Sequence, residues 1–167
     1  MVEYSLCAEY SADVIEVTKG IYAPKGTTIQ EGPITLLVHP YFRPRAQPFQ
    51  EKLAEFLASY EGSVLTFEGE GREWDRFFER TVHYVLEASP STANRFFCKT
   101  QTPFGAAPLE LSWSQIAEFV RTFGSNKINA SGGIVKKDKF GCLGRTVHLL
   151  REEGLEIEYL DDLVIYA

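Results

Sequence analysis

Cys142 is the residue of this sequence whose position is best suited to covalent chemistry. It stands at the start of a segment that predicts a helix from about Gly141 to Glu153. Backbone N–H groups and the dipole at a helix N-terminus stabilise a thiolate, which is the nucleophilic form of cysteine. The same N–H groups can hold a developing oxyanion. Alternatively, Cys142 is a small core residue, since free cysteine is among the most buried residue types.

Two further candidate residues, His39 and Lys99, stand at the ends of predicted strands. Lys99 would raise the thiolate fraction of Cys142 electrostatically or bind an anionic group of a substrate. His39 would take the thiol proton, because a Cys–His pair is a standard way to generate a thiolate. The alternatives are a solvated lysine at a strand edge and a hydrogen-bonded structural histidine before Pro40.

Other polar groups in the sequence do not form a metal or cofactor motif. Glu68, Glu70 and Glu73 surround two glycines, a pattern more typical of an exposed loop than of a cation site. The glycine pair is too short for a dinucleotide fingerprint. The three cysteines include no CxxC and are odd in number, which predicts free thiols rather than a zinc ribbon or disulfides. We therefore expect no metal and no cofactor.

The elements that must position these residues alternate along the chain. Residues 34–38 form an almost continuous apolar run, typical of a strand buried on both faces of a parallel sheet. Ser112 and Gln115 form a capping-box signature for a helix. Hydrophobic patterns predict further strands at 63–67, 95–99, 127–133 and 155–159, and helices at about 49–60, 74–85, 113–120 and 141–153. Residues 163–166 are a further strand or the continuation of the strand at 155–159.

This alternation of strands and helices predicts an α/β protein with three α/β/α layers and a mostly parallel, doubly wound (Rossmann-like) sheet. Ligands of such folds bind at the carboxyl ends of the strands, where His39, Lys99 and the loop before Cys142 would lie. We expect a single domain over residues 1–167, with 1–33 an irregular or short-strand lead-in.

The composition excludes several classes of protein. The chain has 167 residues, of which 44% are hydrophobic and 24% charged, as in ordinary globular proteins. Its net charge of −6 and the lack of a basic stripe argue against nucleic-acid binding. No apolar run reaches the ~20 residues of a membrane helix, and the first residues lack the pattern of a signal peptide. We expect a soluble, cytoplasmic protein that binds neither nucleic acid nor a membrane.

The C-terminal third resembles the isochorismatase-like cysteine hydrolases. That family has a strand, a glycine, the pattern C-V-x-x-T, a helix that ends in Gly, a strand and D-A. This chain has Gly133, then Cys142-Leu143-Gly144-Arg145-Thr146, then Gly154, residues 155–159, and Asp162-Leu163. Lys99, followed by Phe104 and Leu109, is similar to the family segment with the catalytic Lys. The resemblance covers about residues 34–163 and implies that Cys142 is the nucleophile and Lys99 its electrostatic helper.

The family's first strand ends in a catalytic Asp, whereas here the strand runs into His39. Two functions therefore remain. One is a small-molecule amide hydrolase with Cys142, Lys99 and His39 as catalytic residues. The other is a catalytically inactive relative that acts as a ligand-binding or assembly protein.

The loop after the first core strand combines aromatic and basic residues: Tyr41, Phe42, Arg43 and Arg45. Aromatic residues and arginine are enriched at interface cores, so the loop predicts a subunit contact and a homo-oligomer. The alternative is a lid that buries these rings within one chain.

Overall fold

The protein, described here from a computed structural model, has a mixed α/β fold. The structure describes residues 14–38, 47–68, 94–99, 111–125, 127–136 and 141–166. These residues form a mostly parallel sheet of seven strands and three helices. The strands are β1 (Val14–Thr18), β2 (Ile21–Pro24), β3 (Ile34–Val38), β4 (Ser63–Glu68), β5 (Arg95–Lys99), β6 (Ile128–Val135) and β7 (Ile157–Tyr166). The helices are α1 (Gln47–Ser59), α2 (Trp113–Arg121) and α3 (Gly141–Glu152).

The strands lie in the order β1-β2-β5-β4-β3-β6-β7. The five neighbouring strands β5, β4, β3, β6 and β7 pair in parallel. Strands β1 and β2 form an antiparallel hairpin, and β2 also pairs antiparallel with β5. From β3 the chain proceeds outward through β4 and β5, and then returns to place β6 on the other side of β3. The strand order thus reverses between β3 and β6. In open α/β sheets such a switch point marks the crevice where ligands bind.

Strand β3 is buried at all five positions and pairs with a parallel strand on each side, which confirms the interpretation of its apolar run. Alternate side chains of a strand point to opposite faces of the sheet. Accordingly, β3 contributes to two core clusters. The first core cluster joins its Ile34, Leu36 and Val38 to Leu143, Val147 and Leu150 of α3 and to residues of α2. The second core cluster joins Leu37 to Phe49, Leu53 and Leu57 of α1.

Helix α2 begins as the sequence predicts. The Ser112 hydroxyl accepts a hydrogen bond from the Gln115 backbone N–H at 3.1 Å, and the Gln115 side chain accepts one from the Ser112 N–H at 2.9 Å. This reciprocal capping box satisfies two N–H groups that the helix itself leaves unpaired. Phe119 and Phe123 then pack edge-to-face against Phe96 of β5, with ring centroids 5.3 and 5.4 Å apart. The cap therefore fixes the start of a helix whose aromatic face covers the sheet.

The C-terminal end of α1 is held by a buried arginine from β5. Arg95 is only 3% exposed, and its guanidinium donates to the carbonyl oxygens of Gly62 and Tyr60 at 3.0 and 3.2 Å. It also reaches the Leu57 carbonyl oxygen at 3.5 Å. These contacts satisfy carbonyl groups that a helix leaves unpaired at its C-terminus. Burial lowers the pKa of Arg95, and the nearby Tyr60 opposes that shift.

Strand β6 runs through Gly132 and Gly133, where the sequence predicts its end, and continues to Val135. Residues 163–166 continue the preceding strand rather than form a further one, so that 157–166 is a single strand, β7. Its pairing with β6 shifts between the partners of Ala130 and Gly132. The predicted helix at 74–85 lies outside the described residues. Among the helices that the structure describes, none is long and apolar enough to cross a membrane.

Candidate functional site

Cys142 is the second residue of α3, so the structure places it in the first turn of the predicted helix. Gly141 before it has a φ of +64°, a conformation that favours glycine. The Cys142 side chain is half-buried and packs against the first core cluster. Its carbonyl oxygen accepts a hydrogen bond from the Thr146 hydroxyl at 2.8 Å. Cys142 is thus in the first turn of the helix, whose N–H groups have no partner within the helix, and its side chain is also in contact with the core.

The sheet edge in front of Cys142 is the switch point between β3 and β6. Gly132 pairs with Val38 there, and the Ser131 hydroxyl donates to the Leu36 carbonyl oxygen at 3.4 Å. Strand β6 ends at Val135 and α3 begins at Gly141, so the chain makes its turn on the carboxyl side of the sheet. Cys142 therefore lies on the side of the sheet where α/β folds bind their ligands.

Lys99 is the last residue of β5, and its Cα pairs with that of Glu68 at the end of β4. It is therefore at the same carboxyl edge as the turn that leads to Cys142. Strands β4 and β3 lie between β5 and β6, so the ends of β5 and β6 are three strand spacings apart, which is about 14 Å along the edge.

His39 follows β3 but lies outside the described residues. The aromatic loop with Tyr41, Phe42, Arg43 and Arg45 also lies outside them.

The structure also contains a cleft at the opposite, amino edge of the sheet, which we call the amino-edge cleft. Its volume is 480 Å³, and the residues that line it include Glu31, Pro33, Tyr60, Glu61, Gly62 and Asn94. These residues come from the segments that precede β3, β4 and β5. No motif in the sequence predicts this cleft, because its residues are far apart in the chain.

Buried oxygen atoms lie at and below the amino-edge cleft. The Tyr60 hydroxyl, the Asn94 side-chain oxygen and the Thr35 hydroxyl are all buried. Burial raises the pKa of Tyr60, while its hydrogen bond with the Thr35 hydroxyl and the charge of the Arg95 guanidinium act in the opposite direction. The Asn94 oxygen has no hydrogen-bond partner among the described residues.

Within the described ranges, no three His, Cys, Asp or Glu side chains are grouped as the ligands of a metal ion.

No protein-family model, curated protein or solved structure matches this chain.

Proposed function

We propose that this protein is a small-molecule amide hydrolase, similar to the isochorismatase-like cysteine hydrolases, with Cys142 as its nucleophile. The observation that carries the proposal is the position of Cys142 in the first turn of α3, on the carboxyl side of the sheet beside the β3–β6 switch point. A helix N-terminus at such a point favours anionic groups, which include a thiolate and an oxyanion.

The proposed architecture is a three-layer α/β/α arrangement with a doubly wound sheet. It is supported by the two core clusters, because α2 and α3 share one cluster and α1 contributes to the other. It is also supported by the strand order, in which the parallel strands extend in both directions from the β3–β6 switch point. In this architecture a substrate would bind at the carboxyl ends of β3 and β6.

In the proposed reaction the Cys142 thiol gives its proton to His39, and the thiolate attacks the amide carbon of the substrate. Backbone N–H groups in the first turn of α3 hold the oxyanion, and the positive charge of Lys99 favours the anionic species. A carbon–sulfur bond forms, and the carbon–nitrogen bond breaks as the leaving amine takes the proton. Water then hydrolyses the thioester, which releases the acid and restores the thiol.

A second candidate is a ligand-binding relative without catalytic activity. It is favoured by the contact of Cys142 with the first core cluster, which is the contact of a structural cysteine. In this alternative, the carboxyl edge binds a small molecule but forms no covalent bond with it.

Hydrolysis of a panel of small primary amides distinguishes the two candidates, with release of ammonia as the measured signal. Cys142→Ala should lower the rate by about a thousandfold or more, because the nucleophile is lost. Arg145→Gln is the matched control, since Arg145 is exposed on the same helix. If the wild-type protein hydrolyses no amide, or if Cys142→Ala retains the wild-type rate, the hydrolase proposal is wrong.

We also propose a homo-oligomer whose contact includes Tyr41 and Phe42. Aromatic residues beside arginines in one loop have the composition of an interface core. Light scattering should show a dimer or larger species at micromolar concentration, and the double variant Tyr41→Ser/Phe42→Ser should shift it toward the monomer. A monomeric wild-type protein would favour the lid alternative for this loop.

A further inference from the structure

The half-buried ring of Trp113 lies on the same side of the sheet as the proposed nucleophile. Trp113 is the first residue of α2, and its ring stacks on that of Phe67 with centroids 6.5 Å apart. Phe67 is the last residue but one of β4, so Trp113 lies at the carboxyl side of the sheet, as Cys142 does. The side chains of Trp113 and Cys142 are both half-buried and pack against the first core cluster, which places them on the same face.

Trp113 and Cys142 stand in the first turns of neighbouring helices. Helices α2 and α3 are in contact, and α3 packs on β6 and β3, whereas Trp113 reaches β4. Strand β3 lies between β4 and β6, so the ends of these two strands are two strand spacings apart, which is about 10 Å. The axes of packed helices are separated by a similar distance, about 8–10 Å. A substrate that reacts at Cys142 therefore reaches Trp113 when it carries a chain of several carbon atoms on that side.

The described floor between Trp113 and Cys142 is apolar. Val38 ends β3 and is buried in the first core cluster, as is Phe67 beneath the indole ring. Val135 ends β6 and is half-buried against the same cluster. Apart from the indole N–H, these side chains offer no hydrogen bond to a polar substituent. The surface beside Cys142 therefore favours a hydrocarbon group over a polar one.

We propose that Trp113 is a specificity residue of the site at Cys142, and that the substrate is the amide of an aliphatic carboxylic acid of medium chain length. This inference rests on the proposed function, because it places the amide carbon at Cys142. The acyl chain then extends from Cys142 over the end of β3 to the indole ring. Each CH₂ group that leaves water contributes a factor of about four to binding, so contact with Trp113 distinguishes long acyl groups from short ones.

The kinetic test compares kcat/KM for hexanamide with kcat/KM for acetamide. The wild-type protein should prefer hexanamide by at least about tenfold, because its longer chain buries additional CH₂ groups. Trp113→Ala should remove most of this preference, and Trp113→Phe should keep most of it, because an aromatic ring remains. Ile29→Ala is the matched control, since it removes an exposed apolar side chain from the segment before β3, and it should keep the wild-type preference. Equal preference in the wild-type protein and in Trp113→Ala overturns the proposal.

Binding to Cys142→Ala separates this inference from the hydrolase proposal, because it requires no turnover. In an NMR titration of the ¹⁵N-labelled variant, hexanamide should shift the indole N–H signal of Trp113 saturably, and acetamide should shift it much less. The signal is identified by its loss when Trp113→Phe is added. If hexanamide gives this shift although the wild-type protein hydrolyses no amide, the specificity stands and the hydrolase proposal is wrong. If the shift does not saturate, or is equal for both amides, the inference is wrong even if Cys142 proves to be the nucleophile.

Discussion

Gly132 of β6 and Val38 of β3 approach each other so closely that no other residue fits at position 132. A Cβ on Gly132 would lie 2.0 Å from the Val38 carbonyl oxygen, far inside van der Waals contact. Gly132 also has a φ of +110°, which residues with a side chain rarely adopt. Gly132 and Val38 are paired residues of β6 and β3, so the close approach lies at the carboxyl end of β3, at the switch point.

The close approach predicts a large loss of stability for Gly132→Ala. Backbone strain and a clash with backbone atoms should together lower the free energy of unfolding by about 2–5 kcal/mol. Gly26→Ala is the control, because Gly26 also has a positive φ, +90°, but a Cβ there has no atom within 4 Å. Gly26→Ala should lower the free energy of unfolding by only about 1 kcal/mol. Urea denaturation measures the free energy of unfolding of both variants, and equal losses would show that the close approach of Gly132 to Val38 is unimportant.

Arg95 stabilises the junction between α1 and β4, so its removal should destabilise the whole protein. Arg95→Met keeps most of the side-chain volume but leaves the Gly62 and Tyr60 carbonyl oxygens without their donor. We expect a loss of about 3 kcal/mol in the free energy of unfolding. Arg145→Met, at an exposed position of α3, should change it by no more than about 0.5 kcal/mol. Urea denaturation measures both free energies of unfolding. Equal losses in Arg95→Met and Arg145→Met would contradict a stabilising role of Arg95.

The Tyr166 hydroxyl donates to Asp161 at 2.5 Å, and this contact raises the pKa of Tyr166 to about 12 from its ordinary 10.0. Because the folded pKa is the higher one, the contact stabilises the fold fully below pH 10 and is lost as the pH rises through about 12. An ultraviolet titration of tyrosinate should place one tyrosine near pH 12, and Tyr166→Phe should remove that step.

Asp161→Asn tests the cause of this shift. Without the carboxylate, the pKa of Tyr166 should fall toward its ordinary value of 10.0. An unchanged titration curve in this variant would mean that Asp161 is not responsible.

The features that the sequence predicts correctly are local ones. The Ser112–Gln115 capping box is defined by a spacing of three residues, and β3 by a run of apolar residues, so both can be read without knowledge of the fold. The start of α3 at Gly141, and with it the position of Cys142 in the first turn, follows from the periodicity of one helix.

The features that the sequence does not reveal depend on contacts between distant segments. The glycine pair at 132–133 resembles the end of a strand, but Gly132 is needed within β6 because Val38 lies against it. The shifted pairing of β7 and the strand order also arise from tertiary packing. The amino-edge cleft combines Glu31, Tyr60 and Asn94, which no short pattern connects.

The central claim, that Cys142 attacks a substrate from the first turn of α3, is tested most directly by trapping the covalent intermediate. Intact-protein mass spectrometry after brief incubation with a small activated ester should show one acyl group, and peptide mapping should place it on Cys142. The adduct should decay with time as water hydrolyses the thioester, and it should be absent from Cys142→Ala. No acyl adduct, or an adduct on Cys98 rather than Cys142, would contradict the account.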